Sequence, residues 1–393
     1  LESDPMFNAG VGSNLTRNGT VECEAAVMRT SSEKGIRFGA VGAVSRLCFP
    51  VRAAAALADS EEEAERGLID PMVLVGEAAE VWAIQRGIEE CAPAELITET
   101  SLGRLRSKLA KIVSAREHAE GGEEKTTKGN EDGDEEFIPA MDTVGGVEIF
   151  EEISVDGRVG VANEKPTGWV GVANATACVS SGGILLKRPG RLGHSTHFGA
   201  GIWSQRYEDR NSGWIRTVAV SCSGCGEAII MANLARELAD AVGNRPTEAL
   251  AAQALSDTFK RLFDRQRSPL LAHFSSTHLY AGGIVLLSER EVDQPEVSPQ
   301  LEVPPSLPEV NTQSEVSPQP EAPSLPQVNS QPEVSPQLEI QPQYPQDKPL
   351  VELLIFHNSP YLPVAYVDSN GKARKMMSRN SGNSLHIESV LLP

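Results

Sequence analysis

Residues 292–348 repeat Glu-Val-Ser-Pro-Gln from Glu296, Glu315 and Glu333, and Ser-Leu-Pro-Glu/Gln-Val-Asn from Ser306 and Ser324. Proline has no backbone N–H to give to a ladder, and a stretch this rich in it favours extended polyproline II over helix or sheet. The segment reads as a disordered insert with no part in a core. A second tract, residues 116–142, contains Glu-Gly-Gly-Glu-Glu-Lys-Thr-Thr-Lys-Gly-Asn-Glu-Asp-Gly-Asp-Glu-Glu. It has too few apolar side chains to offset the entropy of ordering it and reads as a flexible acidic tether. The two tracts leave three blocks able to fold, 1–115, 143–291 and 349–393, and any architecture must assemble these across flexible connections.

The blocks mix strand and helix signals. Residues 8–14, Asn-Ala-Gly-Val-Gly-Ser-Asn, make a glycine-rich turn, and residues 35–44 are a small-residue run that lets backbones approach closely. Pro71 marks an expected helix start, with Val73, Leu74, Ala78, Val81, Trp82 and Ile84 following at mostly helical spacing up to Gly87. From Thr143 the sequence turns β-rich, and Gly157-Arg-Val-Gly-Val-Ala-Asn163 returns as Gly168-Trp-Val-Gly-Val-Ala-Asn174. Such a single duplication is too short for a solenoid. A strand at 217–222, a glycine turn at 223–226 and a helix at 227–242, apolar at Ile229, Ile230, Leu234 and Leu238, come next. A further helix after Pro246 presents Leu250, Leu255, Phe259 and Leu262 to a core. Strands at 282–288 and 350–356 flank the proline-rich insert, which is therefore expected to join two strands of one sheet. Asn370-Gly371 signals a hairpin over 364–376.

Hydrophobic residues form 40% of the 393, enough for a large buried core. A formal net charge of -19 argues against a nucleic-acid-binding surface, which must neutralise phosphate. Cys23, Cys48, Cys91, Cys178, Cys222 and Cys225 do not make a disulfide scaffold in so long a chain, and Cys222-Ser-Gly-Cys225 lacks the βαβ context of a redox pair. A reducing compartment, cytoplasmic or nuclear, fits this usage. No uncharged apolar run reaches the about 18 residues a membrane span needs. The chain opens on Leu1 without an initiator Met and reads as a fragment beginning inside a domain. No cofactor or metal is expected.

Chemistry is offered by Thr143, at the junction of the acidic tether and a strand. A threonine hydroxyl is a weak nucleophile until a base lies beside it, and cutting the preceding bond supplies one, its own α-amine. That amine has a pKa of about 7.7–8.0, so part of it is neutral near pH 7 and able to take the hydroxyl proton. A flexible lead-in lets Asp142 and Thr143 reach the geometry in which the hydroxyl attacks its own upstream carbonyl. Asp-Thr-Val-Gly alone is a weak signal, since strands often start with Thr.

Five stretches in order add to it: residues 1–15, Asp142-Thr-Val-Gly145, Ser180-Ser-Gly-Gly183, Pro189-Gly-Arg-Leu-Gly193 and Ser221-Cys-Ser-Gly-Cys-Gly-Glu227. Together they resemble the plant-type asparaginase family of N-terminal nucleophile hydrolases, and within it most of all the threonine aspartase (taspase) branch. The resemblance covers both folded stretches on either side of the tether and leaves out the tether and the insert. It implies an α/β fold, a four-layer αββα sandwich, and self-cleavage between Asp142 and Thr143 into an α/β heterodimer that can pair again as a dimer of heterodimers.

Carried over residue by residue, Thr143 is the implied nucleophile and Ser181 the hydroxyl beside it. Arg191 would pair with a substrate carboxylate, with His194 and Gly226 in the same substrate-binding region, and Ser223 and Gly224 would form the oxyanion site. Asn8 belongs to the loop beneath. Asparaginases and isoaspartyl peptidases carry Asp three residues after the arginine, to hold the substrate's free amino group, where this chain has His194. Loss of that carboxylate favours cleavage after Asp inside a longer peptide. The implied partners are protein substrates with Asp at P1, of the trithorax/mixed-lineage-leukaemia methyltransferase and transcription factor IIA precursor kind. The chain departs from the family in lacking its leading strand before Leu1, in having no basic clusters in the tether, and in a longer stretch between Thr143 and Ser181, expected to displace Ser181. Three functions follow: a self-processing threonine endopeptidase; an asparaginase or isoaspartyl peptidase acting on small substrates; and a non-catalytic remnant that interacts through its proline-rich insert.

Overall fold

The computed structural model describes residues 1–31, 34–120, 143–152, 172–209, 213–263, 268–272, 274, 279–291, 349–382 and 384–392. The first block contributes β1 (Cys23–Ser31), β2 (Gly35–Val44), α1 (Pro50–Ala58), the short α2 (Glu62–Glu65), β3 (Val73–Val75), α3 (Gly76–Gln85) and α4 (Glu99–Glu120). The second gives β4 (Val144–Glu152), β5 (Val172–Ser181), β6 (Ile202–Asp209), β7 (Trp214–Gly224), α5 (Gly226–Ala232), α6 (Leu234–Gly243), α7 (Ala251–Phe263) and β8 (Ala281–Glu291). β9 (Leu350–His357), β10 (Tyr361–Val367), β11 (Ala373–Arg379) and β12 (His386–Leu392) complete it.

Two five-stranded sheets, ordered β3-β2-β1-β5-β4 and β12-β9-β8-β7-β6, lie face to face, with contacts between β5 and β7, β4 and β7, and β1 and β6. Helix α1 covers the outer face of the first sheet and α6 that of the second, which makes the four αββα layers. The two-residue period of β1 shows why both faces are filled. Ala26 and Met28 point into the core between the sheets, while Cys23, Ala25 and Val27 point into the core under α1 and α3. At Gly39 the backbones of β2 and α1 come so close that a Cβ would lie 2.3 Å from the Ala54 carbonyl oxygen, as the small-residue run predicts.

Several expectations are corrected. The helix expected from Pro71 starts at Gly76, because Val73–Val75 is a short parallel edge strand on β2; Val81 in the helix is exposed. The helix expected over 227–242 is two helices, broken at Asn233, which takes a left-handed φ of 47°. There the amides of Ala235 and Arg236 bond the carbonyls of Ala200 and Gly199, so a tertiary contact caps α6. Leu250 is exposed, while Leu255, Phe259 and Leu262 are buried as expected. Residues 116–120, read as the start of the tether, extend α4, since adding residues to an existing helix costs far less than starting one. The rest of the tether with Asp142, most of the Gly157/Gly168 duplication and the proline-rich insert lie outside the described residues. β8 and β9, which flank the insert, pair antiparallel as neighbours, and β10 and β11 form the hairpin turning at Gly371.

Candidate active site

The site forms where strand ends from both sheets meet. β4 pairs with β5 in a register that sets Val144 opposite Ser180 and so brings Thr143 beside Ser181. β4 also lies tight on β7: a Cβ on Gly145 would stand 2.2 Å from Ser221 Oγ, so a larger residue there would force the Ser221 hydroxyl to move. The Thr143 and Ser181 hydroxyls share a hydrogen bond of 3.0 Å, and Ser181 Oγ also accepts the Gly183 N–H at 3.0 Å. The expected displacement of Ser181 does not occur.

The glycine-rich loop of residues 8–14 holds this arrangement from below. Asn8 and Asn14 both donate to the Gly183 carbonyl, at 2.9 and 3.0 Å, and Asn8 Oδ1 accepts the Asn14 N–H at 2.8 Å. The Gly182 N–H bonds the Asn8 carbonyl at 2.7 Å. Asn8 thus braces the turn at Gly183, and Asn14, absent from the sequence-based set, is its partner.

Arg191, His194, Gly226 and Glu24 line the same cavity as Thr143. The Nε–Nη2 edge of Arg191 donates twice to Glu227 Oε1, at 2.9 and 2.6 Å. Its Nη1 reaches the backbone of Gly183, where a Cβ would stand 3.2 Å from it. His194 is buried, with Nε2 3.1 Å from the Cys222 carbonyl. A carbonyl only accepts, so Nε2 carries the proton. Burial, opposed by the Glu24 carboxylate, holds the imidazole pKa below its ordinary value, so the ring is neutral and Nδ1 offers a lone pair. Gly226 leaves room there: a Cβ on it would lie 3.3 Å from both His194 Nδ1 and Arg191 Nη2.

Glu24 is 1% exposed; one carboxylate oxygen accepts the Gly193 N–H at 2.5 Å, and Oε1 has no partner among the described residues. Nearby, burial lowers the Lys187 pKa, again opposed by Glu24. Ser223 Oγ is likewise buried without a partner among the described residues, at the cavity wall expected to hold an oxyanion. Gly224, with φ 140°, passes so close to Tyr280 that a Cβ would lie 2.3 Å from its carbonyl oxygen.

A single cavity of about 420 Å³ gathers Thr143, Ser181, Arg191, His194, Ser223, Gly224, Gly226 and Asn8. Every sequence-chosen site residue within the described residues thus lines one space; Asp142 falls outside them. The same walls include Glu24, Asn14, Arg104 and Lys108, which the sequence reading missed. Glu24 had a usable signal, a carboxylate inside a strand that is otherwise buried on both faces. Arg104 and Lys108 had none, because α4 itself was not anticipated. Among the described residues no group of three or more His, Cys, Asp or Glu side chains is placed to hold a metal ion, and no helix is long and apolar enough to cross a membrane.

A threonine hydroxyl at the start of a strand, set between two stacked sheets with helices outside, is the architecture of N-terminal nucleophile hydrolases. The family model described as asparaginase matches residues 1–268, and the chain belongs to that family. It is 32% identical over 239 residues to the isoaspartyl peptidase of Escherichia coli (strain K12), covering 61% of this chain and 58% of that one. It is 33% identical over 260 residues to the isoaspartyl peptidase/L-asparaginase of Mus musculus, covering 66% and 62%. To the plant-type L-asparaginase of Thermococcus kodakarensis it is 30% identical over 242 residues, covering 62% and 63%. The chain thus spans about three fifths of the length of these relatives.

Proposed function

We propose that the chain is a self-processing threonine hydrolase that cuts after Asp within longer peptides. In the first turnover Thr143 Oγ1 attacks the Asp142 carbonyl, the Asp142–Thr143 C–N bond breaks, and the hydroxyl proton passes to the departing nitrogen, which becomes the Thr143 α-amine. Water then hydrolyses the ester and frees both the Asp142 carboxylate and the hydroxyl. In later turnovers the α-amine takes the hydroxyl proton as Oγ1 attacks the backbone carbonyl of the substrate Asp, the C–N bond to the next residue breaks with that proton passing to the leaving amine, and water hydrolyses the resulting ester to free the Asp carboxylate and the hydroxyl. Ser181, 3.0 Å from Thr143 Oγ1, orients the hydroxyl, while Ser223 and Gly224 face the developing oxyanion. Arg191 pairs with the P1 carboxylate.

The observation that carries the preference for an internal Asp is the 3.1 Å contact of His194 Nε2 with the Cys222 carbonyl, which leaves Nδ1 as the acceptor. A neutral imidazole that presents a lone pair beside Gly226 accepts one N–H, which a peptide nitrogen supplies. An ammonium group calls instead for a carboxylate.

Glu24 supports a second reading. Its unpartnered buried Oε1 lines the same cavity and would suit a free α-ammonium, and the relatives matched by this chain are isoaspartyl peptidases and asparaginases. Three substrates separate the two: an N-acetylated, C-amidated peptide with internal Asp, a β-aspartyl dipeptide, and asparagine, each given to the wild type and to Glu24→Gln. Preference for the blocked peptide, kept in Glu24→Gln, is the expected result. Preference for the dipeptide, lost in Glu24→Gln, overturns the endopeptidase reading in favour of the second.

A further inference from the structure

A guanidinium carries five N–H donors and can offer a carboxylate either its side, Nε with Nη2, or its end, Nη1 with Nη2. In Arg191 the side is taken, since Nε and Nη2 both donate to Glu227 Oε1, at 2.9 and 2.6 Å. The three remaining N–H groups, one on Nη2 and two on Nη1, have no partner among the described residues. They stand at the cavity. A Cβ on Gly183 would lie 3.2 Å from Nη1 and one on Gly226 3.3 Å from Nη2, and both glycines line the cavity, whereas Glu227 stands outside the lining.

Both members of the pair are held in place by their own surroundings. Gly226 before Glu227 is buried, Ala228 and Ile229 after it are fully buried, and the Cys225 N–H donates to the Tyr280 carbonyl at 2.7 Å, so the first turn of α5 carries Glu227 at a fixed point. The Arg191 N–H donates to the Arg188 carbonyl at 3.0 Å, and Nη1 is hemmed by Gly183 and Gly193, on each of which a Cβ would lie 3.2 Å from it. The Arg191 side chain is 16% exposed and that of Glu227 52%. An ion pair half open to water contributes little to stability, so its consequence is the direction in which the guanidinium points.

We infer that Glu227 is a positioning residue: by holding the side of Arg191 it turns the Nη1–Nη2 end to the P1 carboxylate and fixes where that carboxylate stops, so that the site reads Asp and rejects Glu. The inference rests on the proposed function, which sets the P1 carboxylate on Arg191. The attacking atom is fixed as well, with Thr143 Oγ1 tied to Ser181 Oγ at 3.0 Å. Between a fixed fork and a fixed nucleophile the P1 side chain has one permitted length. The extra methylene of Glu, with its carboxylate on the fork, displaces the scissile carbonyl by about 1 Å, a misplacement worth about 100-fold in rate.

The test uses N-acetylated, C-amidated peptides identical except for Asp, Glu or Asn at P1, given to wild type, Glu227→Gln and Glu227→Leu, with melting checked for each and rates referred to the fraction divided at Thr143 by intact mass. Wild type is expected to favour Asp over Glu by about 100-fold in kcat/KM, chiefly through kcat, since the longer side chain still reaches the fork. Glu227→Gln keeps an oxygen that accepts both N–H groups and should retain most of this ratio. Glu227→Leu releases the guanidinium: cleavage after Asp should fall about 10- to 100-fold while cleavage after Glu changes little, so the ratio drops to about tenfold or less. A merely structural loss would lower both together. No preference for Asp in wild type, a ratio unchanged in Glu227→Leu, or faster cleavage after Asp in that variant overturns the positioning role, the last by showing that Glu227 competes with substrate for the fork. If no peptide is cut, the proposed function fails separately. In that case, or if a variant does not divide, calorimetry with N-acetyl-aspartate amide and N-acetyl-asparagine amide decides: a preference for the aspartate probe kept in Glu227→Gln and lost in Glu227→Leu supports the role, and no preference in wild type or an equal one in Glu227→Leu overturns it.

Discussion

The two walls of the cavity are built differently. Around Thr143 the polar groups are paired with one another: hydroxyl to hydroxyl, Ser181 to the Gly183 amide, Asn8 and Asn14 to the Gly183 carbonyl. The facing wall contains two buried oxygens without partners among the described residues, Glu24 Oε1 and Ser223 Oγ, and a guanidinium whose two hydrogen bonds both leave from one edge. A buried polar atom left unpaired costs about 1–3 kcal/mol, so a wall that keeps two of them is arranged for groups that arrive from outside. The first wall holds its reacting atom in place before substrate binds. Under the proposed function the second is completed by substrate.

The sharpest way to break this contrast is to remove the reacting atom. Thr143→Ala is expected to abolish both self-cleavage and peptide hydrolysis, a loss of several orders of magnitude. Intact-mass measurement should then show one undivided chain where the wild type divides at Thr143. Division at that bond in the variant would remove Thr143 from the mechanism.

Next in size is the facing wall. Arg191→Lys keeps the charge but not the planar fork, and kcat/KM on a peptide with Asp at P1 should fall about 10- to 100-fold, the worth of a charge-assisted contact. Peptides with Asn at P1 should already be poor substrates of the wild type and lose little more. An equal fall on Asp and Asn peptides would mean that Arg191 supports the wall through Glu227 and does not read the substrate.

A smaller effect separates charge from hydrogen bonding at His194. Its folded pKa lies below the unfolded value, so between the two the unfolded chain binds more protons. Stability is then present above the unfolded pKa of about 6.5 and is lost as pH falls below it. His357, also depressed chiefly by burial, adds to the same slope. His194→Gln can still donate to the Cys222 carbonyl and accept at its other end, so activity should survive within a few-fold while the fall in melting temperature from pH 7 to 5 becomes shallower. An unchanged slope in the variant would show that His194 does not titrate with folding.

Much of this was legible in the sequence, for reasons that differ by residue. Gly145, Gly224 and Gly226 stand where a Cβ would strike another group or crowd the pocket, so the chemistry of close approach leaves a local trace in the glycine motifs. The paired strands on either side of the insert were readable from their apolar runs. Three features were missed. The break at Asn233 depends on carbonyls of residues 199 and 200, which only the tertiary fold brings near. The role of Glu24 depends on which residues surround β1 on both faces. Helix α4 has a polar, weakly one-sided sequence, and its residues Arg104 and Lys108 reach the cavity lining only because Leu102 and Leu105 fix its register.

The smallest expected effect concerns the reach of the substrate wall. β8 and β9 are antiparallel neighbours whose pairing runs from Gly282 with His357 to Glu289 with Leu350, so the ladder ends where the proline-rich sequence begins. The described ladder lies wholly within Gly282–Glu289 and Leu350–His357, so a connection of another length and sequence should serve it as well. Loop-closure entropy changes by only about 0.6 kcal/mol per doubling of length, so replacing the insert with a short glycine-serine loop should leave melting unchanged or raise it slightly. Cleavage of a short peptide, which the cavity alone accommodates, should be unaltered. Loss of cooperative melting would show that the insert contributes to the core. If short peptides are cut normally while a protein containing the same sequence is cut more slowly, the recognising surface extends past Arg191, and the contrast between a finished wall and an unfinished one applies to a larger part of the molecule than the cavity.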